Sequence, residues 1–193
     1  HPNERAHRLI ADALWEALAR AREQGKIRHF GASLDFADEA EACIRNTDSE
    51  VLEIFFNVLH QDIRRAFPSI GEQGVGTIVK IPLDSGWLTG RFDRSSRFSG
   101  VRARWSPEEI AVRAHLVQRL PGLLPGDQPL TSVAMAFVLS YPEVSCVIPG
   151  IRTLAQLDAN LAASGQTLAA ADRERLEAFW DEFTDGGQEL LPW

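Results

Sequence analysis

Cysteine, tyrosine and long apolar runs are all scarce in this sequence. The 193 residues include two cysteines and one tyrosine, Tyr141. Cys43 lies in a helical pattern and Cys146 in an apolar strand pattern, and neither has the CxxC spacing of a metal or redox site. We therefore predict two buried free thiols in a reducing compartment, with no disulfide and no bound metal.

Segments that would direct the chain to a membrane or to nucleic acid are also lacking. No apolar stretch reaches the roughly 18 residues that a membrane-spanning helix needs. Residues 1–8 are polar where a targeting segment would be apolar. The net charge is -7, and the lysines and arginines are scattered, so no basic surface is expected. We expect a soluble, cytoplasmic protein that binds neither membranes nor nucleic acid.

What the sequence does contain is a regular alternation of extended and helical patterns. Apolar runs begin near Ile27, Val51, Val75 and Val144, and helical sequence follows each of them. This alternation predicts one α/β domain over residues 1–193, with a parallel sheet and helices outside it. The run at residues 51–59 is almost wholly apolar, as in a strand buried on both faces.

The positions of the glycines separate two candidate folds, a doubly wound sheet and part of an eight-stranded barrel. No GxGxxG follows the first run, as it would in a doubly wound dinucleotide-binding fold. Glycine-containing turns instead follow the third and fourth runs, at residues 86–90 and 150–153. In TIM barrels a phosphate site often forms after strands seven and eight. The pattern therefore predicts the C-terminal half of a (β/α)8 barrel: strands 5–8, their outer helices and a C-terminal helix.

Local chemistry marks two helix starts and one polar residue of interest. Ser106, Pro107 and Glu109 have the spacing of a capping box with proline at the first helical position. Thr153 and Gln156 have capping-box spacing too. Glu53 interrupts an apolar strand, so it either pairs with a buried basic residue or faces the mouth of the barrel.

Taken together, these motifs resemble the C-terminal portion of an aldo/keto reductase, from the fourth helix onward. The matching segments keep the family's order and lie at residues 25–28, 31–33, 56–59, 82–91, 137–140 and 147–153. The resemblance implies a TIM barrel that binds NADPH in an extended pose and reduces an aldehyde or ketone, a small-molecule carbonyl substrate.

The resemblance also assigns cofactor contacts to particular residues. It implies that Ser33 and Glu53 hold the nicotinamide carboxamide, although Leu34 replaces the usual asparagine and Glu53 the usual glutamine. It also implies a loop that wraps the pyrophosphate, formed by Pro82, Leu83, Gly86, Leu88, Gly90 and Arg91. The residues that it implies for the ribose phosphate and the adenine are Gly150, Arg152, Thr153, Gln156 and Asn160. A helix N-terminus beside a guanidinium suits a phosphate dianion on physical grounds as well.

Catalytic residues are harder to assign. The family's Asp, Tyr and Lys belong to the first four strands and cannot be located here, and His1 is the catalytic histidine or its neighbour. Three functions stay open: a reductase completed by another segment or chain, a non-catalytic relative that binds nucleotide or assembles with a partner, and a barrel reused for redox-neutral chemistry. Half a barrel leaves edges and apolar faces uncovered, so we expect an oligomer or a completing partner segment. Trp87 and Phe56 are the candidate pocket residues.

Overall fold

A four-stranded parallel sheet forms the centre of the protein. The computed structural model describes residues 2–192, with side chains described for residues 12–100 and 103–192. The strands are β1 (Gly31–Leu34), β2 (Val51–Phe55), β3 (Gly76–Lys80) and β4 (Cys146–Ile148), and they lie side by side in chain order without reversal. All three strand pairings are parallel. The predicted parallel α/β class is therefore confirmed.

Helices connect the strands and cover one face of the sheet. Their bounds are α1 (Pro2–Glu23), α2 (Ala37–Asn46), α3 (Phe67–Gln73), α4 (Pro107–Arg119), α5 (Leu130–Leu139), α6 (Leu154–Ser164) and α7 (Ala170–Thr184). Short 3₁₀ helices precede α3 and follow α4, and two more lie in the long β3–α4 connection. The predicted loop of residues 84–104 is thus partly helical.

Burial alternates along the strands and distinguishes the two faces. Leu52, Ile54 and Val79 are fully buried beneath the helices. On the other face Glu53 and Ile78 are half-buried, and Ser33, Cys146 and Ile148 are exposed. We call this second side the open face. It limits one prediction and corrects another: Val51 and Glu53 are only half-buried, although residues 54–59 are buried throughout, and Cys146 is exposed, whereas Cys43 is buried as predicted.

The first strand begins four residues later than the apolar run that predicted it. Residues 27–30 are irregular, and Phe30 packs against Trp15 with ring centroids 5.9 Å apart. The guanidinium of Arg22 lies 4.9 Å from the Phe30 ring centroid. The apolar character of this run therefore serves helix packing, and pairing with β2 starts only at Gly31.

Helix starts follow the local chemistry closely. Ser106 accepts a hydrogen bond from the Glu109 amide, and the Glu109 side chain accepts one from the Ser106 amide, so the predicted capping box at α4 is confirmed. Within residues 2–192, no helix combines the length and the apolar character that a bilayer crossing demands.

Candidate functional site

The carboxyl ends of the four strands meet at one edge of the sheet. The register pairs Ser33 with Glu53 and places Phe55 beside Lys80, which in turn pairs with Ile148. Because ligands of parallel α/β folds bind outside the carboxyl ends of the strands, this edge is the candidate site. Two residues predicted to hold a carboxamide, Ser33 and Glu53, are thus direct neighbours.

Lys80 is a member of this edge that the sequence-based predictions do not include. Its Nζ donates a hydrogen bond to Ser33 Oγ at 2.8 Å and lies 2.8 Å from Asp35 Oδ1. The Lys80 side chain is 18% exposed, so this charge is largely shielded. The signal available in the sequence was a single lysine that ends an otherwise apolar strand.

Glu53 lies on the open face beside Ser33, its neighbour in the strand register. It is half-buried and has no ion-pair partner in the part of the chain that the structure describes. Leu34 brings no amide to this edge. A nicotinamide carboxamide would therefore meet one hydroxyl, one carboxylate and the nearby Lys80 ammonium, a polar set that fits it only in part.

The loop of residues 81–91 follows β3 and contains the residues predicted to wrap a pyrophosphate. Left-handed backbone occurs at Ile81 (φ 56°), Asp84 (φ 45°) and Ser85 (φ 53°), and also at Gly86 and Gly90. The amides of Gly86 and Leu88 both donate to Leu83 O, at 2.8 and 3.2 Å. Non-glycine residues rarely adopt this backbone, so its concentration here marks a specifically shaped loop.

The predicted loop residues differ in what they can offer a ligand. Pro82 and Leu88 are buried, Leu83 and Gly86 are half-buried, and Gly90 and Arg91 are exposed. Leu88 can therefore contribute only backbone, whereas the Arg91 guanidinium is available to an anion. Asn57 holds the start of the loop, because its Nδ2 donates to Ile81 O at 3.0 Å. The polar Asn57, just after β2, therefore has a structural role.

The N-terminus of α6 follows β4 and carries the residues predicted for the ribose phosphate. Thr153 Oγ1 accepts a hydrogen bond from the Gln156 amide at 3.2 Å, and Gln156 Oε1 accepts one from the Arg152 amide at 2.7 Å. The predicted capping box is thus modified, because the glutamine reaches Arg152 rather than Thr153. Gly150, Arg152 and Thr153 are exposed, so Arg152 directly precedes a capped helix end that is open to solvent.

Asn160 is a buried polar residue on the same helix. It lies one turn beyond Gln156 on α6 and is 7% exposed, yet its Nδ2 has no hydrogen-bond partner among the described residues. Buried polar groups are nearly always bonded. An unpaired buried donor is therefore consistent with a ligand acceptor at this position.

Three other predictions concern residues outside this edge. His1, the candidate catalytic residue, lies outside the described residues. Trp87 and Phe56 were expected to line a pocket, but both are fully buried in the core. Tyr141 is also buried and donates to Glu177 Oε1 at 2.5 Å. Burial and this carboxylate raise the pKa of Tyr141 above its ordinary value, so it is unsuited to proton transfer.

Three buried ionisable side chains that the sequence did not predict meet at the 81–91 loop: Asp84 of the loop, Arg113 and His60. Asp84 and Arg113 are fully buried, and His60 is nearly so. Burial lowers the pKa of His60 to about 3, assisted by the positive charge of Arg113. Burial also raises the pKa of Asp84 to about 6, against the opposing effect of Arg113. In residues 12–100 and 103–192, no cluster of three or more potential metal ligands occurs.

The fold and this edge define a class: a parallel α/β protein with glycine-containing loops after its last two strands. Comparison with known proteins gives the family. The profile of the aldo/keto reductase family matches residues 1–181, and the chain belongs to that family. Members of the family are oxidoreductases that act on carbonyl compounds with a nicotinamide cofactor.

Several relatives and solved structures resemble the chain. The NADH-specific methylglyoxal reductase of Escherichia coli (strain K12) is 26% identical over 170 residues, which cover 83% of this chain and 52% of the relative. The probable aldo-keto reductase 1 of Glycine max is 26% identical over 168 residues, covering 83% and 49%. The chain therefore spans about half the length of these relatives.

Solved structures agree on the fold. The holo form of an aldo-keto reductase from Bacillus halodurans has a TM-score of 0.69 at 23% identity, over 88% of this chain and 56% of that one. The glycerol dehydrogenase of Gluconobacter oxydans has a TM-score of 0.66 at 17% identity, over 86% and 52%.

Proposed function

We propose that residues 1–193 form the C-terminal half of a (β/α)8 barrel that reduces an aldehyde or ketone with NADPH. Strands in sequential parallel order, with helices on one face and ligand-type loops at the carboxyl edge, support the barrel assignment. The observation that carries the nucleotide assignment lies on α6: an exposed Arg152 precedes its capped N-terminus, and the buried Asn160 Nδ2, further along the helix, has no hydrogen-bond partner among the described residues.

The described residues suggest how this chain would hold the cofactor. Arg152, Thr153 and the α6 amides would bind the ribose phosphate, and Gln156 and Asn160 would contact the adenine region. The strained loop of residues 82–91 would present backbone to the pyrophosphate. Ser33, hydrogen-bonded to Lys80, would orient the nicotinamide together with Glu53. When bound, a reduced nicotinamide supplies hydride to a carbonyl carbon.

The choice between NADPH and NADH depends on the charge at α6. A guanidinium beside a helix N-terminus favours a 2′-phosphate over a plain hydroxyl. The Escherichia coli relative is named NADH-specific, so the two nucleotides have to be compared directly. We expect NADPH to bind more tightly, by about 1.5–3 kcal/mol for one charge-assisted contact.

The open face supports completion of the barrel by further strands. Several exposed large apolar side chains lie on β4, on α6 and in the loop between them: Ile148, Ile151, Leu154 and Leu161. Exposed apolar surface next to an unpaired edge strand favours association. We propose that another segment of the same protein, or another chain, covers this edge and supplies the proton donor that Tyr141 cannot provide. The free thiols Cys43 and Cys146 suit a reducing compartment such as the cytoplasm.

A second candidate function is nucleotide binding without turnover. The observation that favours it is the polar cluster at the nicotinamide end, where Lys80 already bonds Ser33 and Glu53 replaces an amide. Such a protein would retain the α6 phosphate site and lack carbonyl reduction.

One set of measurements separates these functions. Calorimetric titration with NADPH, NADH and adenosine 2′,5′-bisphosphate tests the phosphate site, and oxidation of NADPH in the presence of a panel of aldehydes tests the reaction. A reductase binds NADPH and turns over. A non-catalytic relative binds NADPH and the bisphosphate without turnover. Failure to bind any of the three ligands would refute both functions.

A further inference from the structure

A buried charged pair connects the 81–91 loop to helix α4. Arg113 Nε lies 3.5 Å from Asp84 Oδ2, and both side chains are completely inaccessible to solvent. On the other side of the carboxylate, His60 Nε2 lies 3.6 Å from Asp84 Oδ1. The pair therefore joins a residue of the loop to a residue of α4 inside the protein.

Arg113 reaches beyond this pair to two other parts of the chain. Its guanidinium carbon lies 5.1 Å from the Trp105 ring centroid, and Nη2 donates a hydrogen bond to the carbonyl of Pro192. Trp105 in turn packs against Trp87 of the loop, with ring centroids 6.0 Å apart. One arginine thus holds the loop, the residues before α4 and the C-terminal segment together.

The backbone of the loop shows why such an anchor matters. Three non-glycine residues of the loop have a positive φ: Ile81, Asp84 and Ser85. Such conformations persist only where the surrounding structure enforces them. The anchored carboxylate belongs to a strained residue, so the contact acts at the position where the loop would otherwise relax.

Stability alone gives little reason to keep this pair. Burying two charges costs desolvation that their attraction often does not recover, and well-packed apolar side chains of similar size usually stabilise a core at least as well. What the charged pair adds is a link between two particular residues, Asp84 of the loop and Arg113 of α4.

We propose that Asp84 and Arg113 are positioning residues that fix the 81–91 loop in the shape that receives the pyrophosphate of a dinucleotide. This inference rests on the proposed nucleotide function. It assigns the pair no contact with the ligand, because both side chains are buried. The loop conformation and the pyrophosphate contact are therefore separately measurable.

The test compares a double variant, Asp84→Leu with Arg113→Met, with the unmodified protein, each in the complete natural polypeptide. The apolar pair removes both charges together, so the fold is retained without an unpaired buried charge. Arg113→Met alone is added as the variant that removes the arginine charge and keeps the buried Asp84 carboxyl beside His60. Arg119→Met is the matched control, because Arg119 lies on the same helix and pairs with Glu182 at 2.9 Å, away from the loop.

Two readouts go beyond stability. We expect amide hydrogen exchange at Gly86 and Leu88 to accelerate in the double variant and to stay unchanged in β2. We also expect NADPH affinity to fall by about tenfold or more, the effect of one hydrogen bond lost between the displaced loop and the charged pyrophosphate. Adenosine 2′,5′-bisphosphate lacks the nicotinamide half, retains only one of the two pyrophosphate phosphates and would engage α6, so its affinity should fall less than that of NADPH.

Each result supports or overturns the inference. Unchanged loop exchange and unchanged NADPH affinity in the double variant would overturn it, and so would an equal loss for NADPH and the bisphosphate. If the unmodified protein bound neither ligand, the proposed function and the pyrophosphate role would both fall, while the exchange data would still decide whether the pair positions the loop.

Discussion

Gly31→Ala should be among the most damaging small substitutions in this protein. Gly31 opens β1 and pairs with Val51 of β2. A Cβ built on Gly31 would lie 1.6 Å from the carbonyl oxygen of Val51 and 2.7 Å from its carbonyl carbon. Both atoms belong to the backbone of the neighbouring strand, so no side-chain rotation relieves the clash.

The structure sets the size of the effect. Moving the Cβ from 1.6 Å to the 3.0 Å lower limit of real contacts requires a displacement of about 1.4 Å. That movement would break the β1–β2 hydrogen bonds next to Val51, each worth about 1 kcal/mol. Overpacking adds roughly 1–3 kcal/mol. We expect a loss of about 3–4 kcal/mol in the free energy of unfolding, or roughly 10 °C in Tm for a chain of this size.

Gly76→Ala is the matched control. Gly76 occupies the same position at the start of β3, but its added Cβ would meet no atom closer than 3.7 Å. We expect this variant to change the unfolding free energy by about 1 kcal/mol or less, since alanine loses less backbone entropy on folding. Urea and thermal unfolding of both variants provide the comparison. Equal stability of the two variants would refute the steric argument.

Three further predictions address charge. Arg152→Ala should remove most of the NADPH preference over NADH, about 1.5–3 kcal/mol by calorimetry; equal binding of the two nucleotides before mutation would count against the phosphate assignment. His60 is neutral in the fold and its pKa falls from 6.5 to about 3, so its stabilising contribution is complete above pH 6.5 and is lost as the pH falls through about 3. His60→Gln should therefore lose less stability than the unmodified protein between pH 7 and 4, by up to about 3 kcal/mol in urea unfolding; an identical acid response would show that His60 does not contribute. Glu53→Gln should keep or improve NADPH affinity at unchanged Tm, whereas a loss of a few kcal/mol in stability would indicate an ion pair with a residue of the completing segment.

Sequence reasoning succeeded where structure depends on neighbours along the chain. The Ser106 capping box was predictable because each of its hydrogen bonds joins residues three apart. The start of β1 was misplaced because an apolar run carries no information about its partner. Phe30 is as apolar as a strand residue, but it packs on Trp15 of α1.

The position of the candidate site was predictable in part, because it depends on the ends of parallel strands. Strand ends and turn glycines placed Ser33, Gly86 and Arg152 at one edge, since parallel strands align their carboxyl ends. The contact of Lys80 with Ser33 joins residues 47 positions apart, and it depends on the register of three strands. The Asp84–Arg113 pair was hidden because charged residues are rarely buried, so a loop aspartate and a helix arginine read as surface residues.

Polar and apolar side chains occupy different parts of the open face, and this distribution bears on the proposal that a further segment covers it. Its polar side chains lie on β1–β3, where Ser33, Glu53 and Lys80 share one corner of the sheet. Its exposed apolar side chains lie toward β4, at Cys146 and Ile148. Adjacent exposed apolar side chains usually mark a surface that contacts another segment or molecule, whereas polar side chains can stay in water. A completing segment that packs along β4 would bury the apolar side and leave the polar corner at an opening, where the nicotinamide and a carbonyl substrate could meet.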